Sequence, residues 1–426
     1  INVSGQQHGH LYLNGKSQKA LASLRKGGSG AKELVGLLEG IFAYGTAPIW
    51  KTSNTARQAK EIRSRMGGKR SLIEASGSDS PLRFTGTVIR RVAQEFPGAY
   101  SETECIQLIS SFIPAVLCGD AGVPWDFGNG CGTSLMDYRQ RVFSPELLEA
   151  VGGDLPGGAE ALRAKLPGLV HPAQAVGRVA AHFVERYGFS TDCAVLAGSG
   201  DNPQTKVLVS GDLLSLGSSF VFMVGTDGQS VDREGYANAM YDGLGRPFMF
   251  GCRTNGAMVW DRVRASAGMK KDEYAPAERA LAETAPGSSL FLWQPFDESF
   301  PLSSAFEARR EGYEGPDFTS DYAGIVDSSL AVVYLYSAGF AAVTEEPLYV
   351  TGGPASSRQI LRRIAAIWKR PAVPIGSVGA ALGCAEAGAV GAAREEGREI
   401  DLEGLTEQVL PRGEAVLPAA EDVKAY

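Results

Sequence analysis

A carboxylate fixed on a glycine turn at the end of a buried strand can act as a general base. Gly198-Ser-Gly-Asp201-Asn202 supplies one directly after the apolar run Cys193-Ala-Val-Leu-Ala197. With little backbone freedom at a sheet edge, Asp201 is positioned to take a proton from a substrate hydroxyl. The same residues also suit a turn aspartate that caps the next helix. Between two apolar runs, Ser215-Leu-Gly217-Ser218-Ser219 offers backbone N–H groups and hydroxyls that could cradle a phosphate without a Walker lysine, or it is simply a hairpin turn. Thr351-Gly352-Gly353 follows the strand-like Leu348-Tyr-Val350 and precedes a helix pattern, where two glycines admit a nucleotide and a helix N-terminus favours anions. It is neither G-x-G-x-x-G nor Walker A, which excludes the Rossmann and P-loop readings. Ser4-Gly5-Gln6-Gln7-His8-Gly9 places hydrogen-bonding side chains between glycines, as recognition of a polyol would require; a solvated histidine at a strand end is the plainer alternative. Gly128-Asn-Gly130-Cys-Gly132-Thr133 reads as a loop.

Other chemistries are excluded. There is no G-x-S-x-G elbow, no H-E-x-x-H and no EF-hand loop. Four histidines (His8, His10, His171, His182) leave few bases for a Ser-His-Asp hydrolase. The six cysteines are widely spaced, with no C-x-x-C and no histidine at ligand spacing, which argues against a metal site and a disulfide framework and for reduced thiols in the cytoplasm. With 41 basic and 48 acidic residues the net charge is −7 and no long basic run occurs, so neither nucleic acid nor an anionic membrane is an expected partner. The longest apolar stretch, Leu330 to Val343, is interrupted by Ser337 and Gly339 and is too short to span a bilayer; it predicts a buried helix.

The elements that must position these residues are legible in outline. The length of 426 residues allows two or three domains, and 44% hydrophobic with 21% charged residues describes a globular chain. The 53 glycines require many tight turns or close approaches. Asn14 to Gly40, with Lys26-Gly-Gly-Ser-Gly30, reads as a flexible excursion, Trp50 to Met66 as a surface helix, and 105–118 as a buried segment. Val179, Ala180, Phe183 and Tyr187 share a helical face that Gly188 terminates, and Leu361, Ile364, Ile367 and Trp368 mark another. Leu213 to Val224 predicts two strands around Gly217-Ser218-Ser219. Strands alternating with helices, and glycines at strand ends, make this an α/β protein with its chemistry at those ends. Ile1 lies in a strand already under way, with no signal peptide, and a segment preceding it is expected.

In this order the pieces resemble the FGGY family of carbohydrate kinases, most closely its members that phosphorylate xylulose. Ser4-Gly-Gln-Gln-His-Gly9 is similar to the sugar-recognition strand, Arg83-Phe-Thr-Gly86 to the arginine-bearing segment, and Gly200-Asp-Asn-Pro203 to the catalytic turn. Ser215-Leu-Gly-Ser-Ser219 is similar to the S-L-G-T-S phosphate hairpin, and Thr351-Gly-Gly353 to the adenosine-site T-G-G. The resemblance implies an actin-like (ribonuclease H-like) two-domain fold, with a sugar-binding domain over 1–203 and a nucleotide-binding domain over 204–426, and substrates in the cleft between. It implies ATP-dependent conversion of D-xylulose to D-xylulose 5-phosphate, with another ketose or polyol, or a non-catalytic sugar binder, as alternatives. Gln7, His8, Arg83, Asp201 and Asn202 would bind the ketose, Asp201 also as base. Gly217 and Ser218 would face the γ-phosphate, Gly352, Gly353 and Ser357 would lie along the adenosine, and Tyr274 would meet the adenine. Mg2+ would arrive with ATP rather than in a protein metal site, and a homodimer is compatible with the family. Three departures stand out: the N-terminal D-x-G-T strands would lie upstream of Ile1, the W-x-D segment reads Trp50-Lys51-Thr52, and Ser218 replaces threonine.

Overall fold

The computed structural model describes residues 1–27, 33–376 and 379–426. They form two compact units. Unit 1 comprises Ile1–Leu208, Asn238–Phe248 and Gly379–Thr406; unit 2 comprises Val209–Ala237, Met249–Val378 and Glu407–Tyr426.

In unit 1 the strand His10–Asn14 pairs antiparallel with Thr103–Leu108. Side chains alternate across this ribbon: Tyr12 and Ile106 enter one core with Val88, Val92 and Trp125, while Leu13 enters another with Phe112, Val116 and Val195. Ser4–Gly5 pairs in parallel with Ser199–Gly200, and the Ser199 N–H donates to the Val3 carbonyl at 2.9 Å. This ladder sets residues 5–8 beside residues 200–202. Helix Asp201–Lys206 is locked underneath by helix Ala380–Glu395, whose Gly383 lies so close that a Cβ there would stand 1.8 Å from the Gln204 carbonyl oxygen.

Unit 2 is built on a sheet in the order Pro247–Arg253, Phe220–Gly225, Asp212–Leu216, Leu348–Thr351, Ala372–Pro374, the first strand carrying the chain into this unit. Asp212–Leu216 is antiparallel to Phe220–Gly225 and parallel to Leu348–Thr351, which is parallel to Ala372–Pro374. Helix Arg358–Trp368 joins the last two strands and buries the predicted face of Leu361, Ile364, Ile367 and Trp368.

Several elements differ from the sequence reading. Within Asn14 to Gly40, Ser17–Ser23 and Glu33–Leu38 are helical and Leu21 and Leu24 are fully buried, because an apolar stripe finds a core to cover; residues 28–32 of its glycine-rich run lie outside the described residues. The surface helix is Ala56–Arg65, starting six residues later than Trp50. The apolar stretch near 330 belongs to a longer helix, Phe318–Ser337, which buries Leu330 and Val333 but exposes Leu335 and Tyr336 and stops before Val343. Val179 and Ala180 precede helix Ala181–Tyr187, which Gly188 ends at φ +73°. The expected loop at 128–133 is instead two short helical turns, Phe127–Gly130 and Cys131–Thr133, buried throughout. No helix among the described residues is long and apolar enough to cross a membrane.

Candidate active site

Glycines let the unit 1 site close up. A Cβ on Gly200 would lie 2.4 Å from Gln7 Cγ and 2.6 Å from Asn129 Oδ1, so only glycine allows the two strand ends to meet. The Gln7 backbone N–H donates to Asp201 Oδ1 at 3.2 Å, and Asn202 Nδ2 donates to Gln7 Oε1 at 3.1 Å. Among the described residues Gln7 Nε2 donates to the Met240 sulfur at 3.6 Å, a weak acceptor that a substrate hydroxyl would outcompete. Asp201 is the first residue of its helix, the N-cap is Gly200, and the cap has no side-chain hydrogen bond. Asp201 is exposed as a residue, yet desolvation by the protein around its carboxylate pushes its pKa up against the opposing hydrogen bond from Gln7.

His8 is held hard. Its backbone sits at φ +66°, a left-handed conformation that costs a non-glycine residue roughly 1–2 kcal/mol and is seen where surrounding contacts over-determine it. The imidazole stacks on Phe84 at 4.8 Å, and Nδ1 lies 3.0 Å from the Gly132 carbonyl oxygen. A carbonyl can only accept, so Nδ1 carries the proton and Nε2 presents a lone pair, fitted to receive a bond from a hydroxyl. Burial, with the Arg83 charge adding to it, lowers the His8 pKa to about 3; burial also lowers that of His10 to about 4. His10 braces His8, its Nδ1 against the His8 carbonyl at 2.9 Å and its Nε2 against the Tyr12 hydroxyl at 2.9 Å. Thus Gln7, His8, Arg83, Asp201 and Asn202 converge in unit 1. Thr52 is engaged in a turn, its hydroxyl accepting from the Ile49 N–H at 3.2 Å.

Beneath this cluster lies a network that sequence reasoning missed. Fully buried Asp126 accepts from Ser199 Oγ at 2.6 Å, the Asn129 N–H at 2.9 Å and Asn129 Nδ2 at 3.1 Å. Burial raises its pKa to about 6 despite those three donors. Ser199 is two residues from Asp201, and Gly132 holds His8, so the supposed loop 128–133 is the bed of the site. The available signal was Asp126 three residues before Asn129, an N-cap pattern.

In unit 2 the segments Ser215–Ser219 and Thr351–Gly353, far apart in sequence, become neighbours: Ser215 pairs with Thr351. Gly352 has φ +99°, and a Cβ there would lie 2.4 Å from the Leu216 carbonyl oxygen. The hairpin's Gly217 and Ser218 carbonyls accept from the Ala257 and Met258 N–H groups at the start of helix Ala257–Ser266, which fixes the loop's orientation. Gly217, Ser218, Gly353, Ser357 and Tyr274 line one cavity of about 720 Å3, within the usual small-molecule range. Gly352 adjoins it through the chain. The Ser357 hydroxyl is committed locally: it accepts from the Ile360 N–H as a helix cap and donates to Glu278 at 2.5 Å. Tyr274 is 60% exposed, with the Arg264 guanidinium 4.3 Å from its ring centre. Glu278 and Trp260 also line the cavity, and nothing in their sequence context marks them.

The model of the FGGY family of carbohydrate kinases, N-terminal domain, matches residues 44–207. A probable D-xylulose kinase A from Aspergillus fumigatus is 30% identical over 404 residues, covering 85% of this chain and 68% of that protein. The counterpart from Aspergillus flavus is 31% identical over 297 residues, 67% of this chain and 51% of that protein, so the match spans about half its length. The crystal structure of xylulose kinase from Bifidobacterium adolescentis superposes with a TM-score of 0.79 at 20% identity, covering all of this chain and 86% of that one. The chain belongs to the FGGY family of carbohydrate kinases and has the actin-like fold of its sugar kinases.

Proposed function

We propose that the protein transfers the γ-phosphoryl group of ATP to the 5-hydroxyl of D-xylulose, giving ADP and D-xylulose 5-phosphate. The observation that carries this is the Asp201 carboxylate in the first turn of its helix, bonded by the N–H of Gln7, whose side chain in turn accepts from Asn202. Gln7 Nε2, His8 Nε2, the Arg83 guanidinium and Asn202 would hold the ketose hydroxyls and carbonyl in unit 1. Asp201 would accept the proton of the attacking hydroxyl as the O–P bond forms and the bond to the ADP oxygen breaks. In this reading unit 1, which holds residues 1–203, takes the sugar role and unit 2, which begins at Val209, the nucleotide role.

For the nucleotide, the 720 Å3 cavity has room for adenosine, Tyr274 offers a flat face, and Gly353 has open space beside it. Gly217 and Ser218 would meet the γ-phosphate, with Gly352, Gly353 and Ser357 along the adenosine. We assign magnesium to the nucleotide's own phosphates, whose charge it neutralises. Six free cysteines suit a reducing compartment, and we place the protein in the cytoplasm. The relatives' names support D-xylulose as acceptor, while Thr52, in place of the W-x-D aspartate, keeps another ketose or polyol as the alternative. A screen of ketoses and polyols with ATP decides: D-xylulose should give the highest kcat/KM, and a best value for glycerol or a hexose would refute the choice of sugar.

A further inference from the structure

Unit 2 has a second cavity, of about 270 Å3, between the strand Leu290–Gln294 and helix Phe318–Ser337. Arg253 lines it, only 6% exposed, and its Nε has no hydrogen-bond partner among the described residues. Its NH1 reaches the Phe300 carbonyl at 3.5 Å and the Glu298 carboxylate at 3.9 Å, both at the edge of useful contact. Glu298 is otherwise engaged, accepting from the Thr254 N–H at 2.7 Å, the Asn255 N–H at 2.9 Å and Asn255 Nδ2 at 2.8 Å. A buried guanidinium with so little compensation is costly, and burial lowers its pKa although Glu298 opposes this. The protein bears that cost beside an open space.

The space has a definite chemistry. Tyr236, Trp293, Phe306 and Tyr336 line it, so its walls favour a flat or branched apolar body. Its one cationic side chain suits a monoanion better than a phosphate dianion. The planar guanidinium fork of Arg253, which lines the space, matches a carboxylate. At 270 Å3 it falls just below the range of about 300–1,000 Å3 usual for small-molecule sites, so the ligand is small. Ser329 also lines the cavity and its Oγ accepts from Trp260 Nε1 at 2.9 Å, while Trp260 lines the 720 Å3 cavity; one hydrogen bond separates the two spaces.

We infer that this cavity is a binding site for a small carboxylate with a flat apolar body, its carboxylate paired with the Arg253 guanidinium. Benzoate is the probe, titrated by calorimetry against the protein, with benzamide as the same shape without the charge. Benzoate should saturate, and benzamide should bind at least tenfold more weakly. Arg253→Met removes the charge and should abolish benzoate binding. Val332→Phe keeps Arg253 and fills the cavity, and it should abolish binding as well; it carries the test if the first variant does not fold. Equal affinities for the two probes, no saturation at millimolar benzoate, or undiminished binding in a folded variant would each overturn the inference.

Discussion

Replacing Asp201 with asparagine separates catalysis from architecture. Asparagine keeps the size and an Oδ1 acceptor for the Gln7 N–H now bonded at 3.2 Å, and it leaves the Asn202 to Gln7 bond untouched. What it removes is the ability to take a proton. Loss of general-base catalysis typically costs about 10²–10⁴-fold in rate, or about 3–5 kcal/mol of barrier. Sugar affinity should change far less: trading a charge-assisted for a neutral hydrogen bond is worth about 1 kcal/mol, roughly fivefold in Kd. Stability should not fall. The folded pKa of Asp201 is raised above its unfolded value, so its contribution is present below the unfolded pKa and lost as pH rises through the folded one. At pH 7 the desolvated carboxylate therefore subtracts from stability, and Asp201→Asn should melt at the wild-type temperature or above. The assays are kcat for D-xylulose phosphorylation, equilibrium sugar binding and thermal melting. Turnover within about threefold of wild type would remove Asp201 from the chemistry, since the general-base range starts far above that. A lower melting temperature together with lost sugar binding would make it a structural residue.

Other outcomes follow from the same geometry. His8 and His10, with pKa values lowered to about 3 and 4, should stay neutral through pH 6–7, so their imidazole resonances should not titrate there; an inflection near 6.5 would contradict their burial. Because the unfolded chain can charge these two below about pH 6.5, they withdraw stability as the pH falls from there toward 4. Asp126 acts with the opposite sign: its pKa of about 6 lies above an unfolded aspartate's, so its contribution is lost as pH rises from about 4 through 6. The stability of wild type relative to Asp126→Asn, by urea unfolding, should therefore drop by about 2 kcal/mol between pH 4 and pH 8, and a flat difference would refute the burial argument. Gly352→Ala should cost at least about 2 kcal/mol, since it adds left-handed strain to a Cβ contact of 2.4 Å with the Leu216 carbonyl oxygen; a near-neutral value would refute that geometry.

The parts legible in the sequence were those written in local pattern. The strands flanking Gly217-Ser218-Ser219 and the buried face of helix Arg358–Trp368 appear where apolar runs and turn glycines placed them. So does the stop at Gly188, whose positive φ only glycine adopts freely. The parts that were not legible depend on distant partners. Residues 128–133 look like a glycine-rich loop until Ser199 and His8 arrive to bond Asp126 and Gly132. Leu21 and Leu24 sit in a segment with glycines and lysines, and only the core against which they pack makes that segment helical. Glu278 and Trp260 reach the 720 Å3 cavity from helices with no distinctive composition, because tertiary packing alone decides which side of a helix faces a cavity.

The central claim is that a ketose hydroxyl held beside Asp201 receives the phosphoryl group. It is tested most directly by phosphorus NMR of the product formed from D-xylulose, ATP and magnesium. The expected product is a single phosphomonoester whose phosphorus couples to C5 of the sugar, formed in step with ADP. Inorganic phosphate with unmodified xylulose, or an ester at any other carbon, would contradict it.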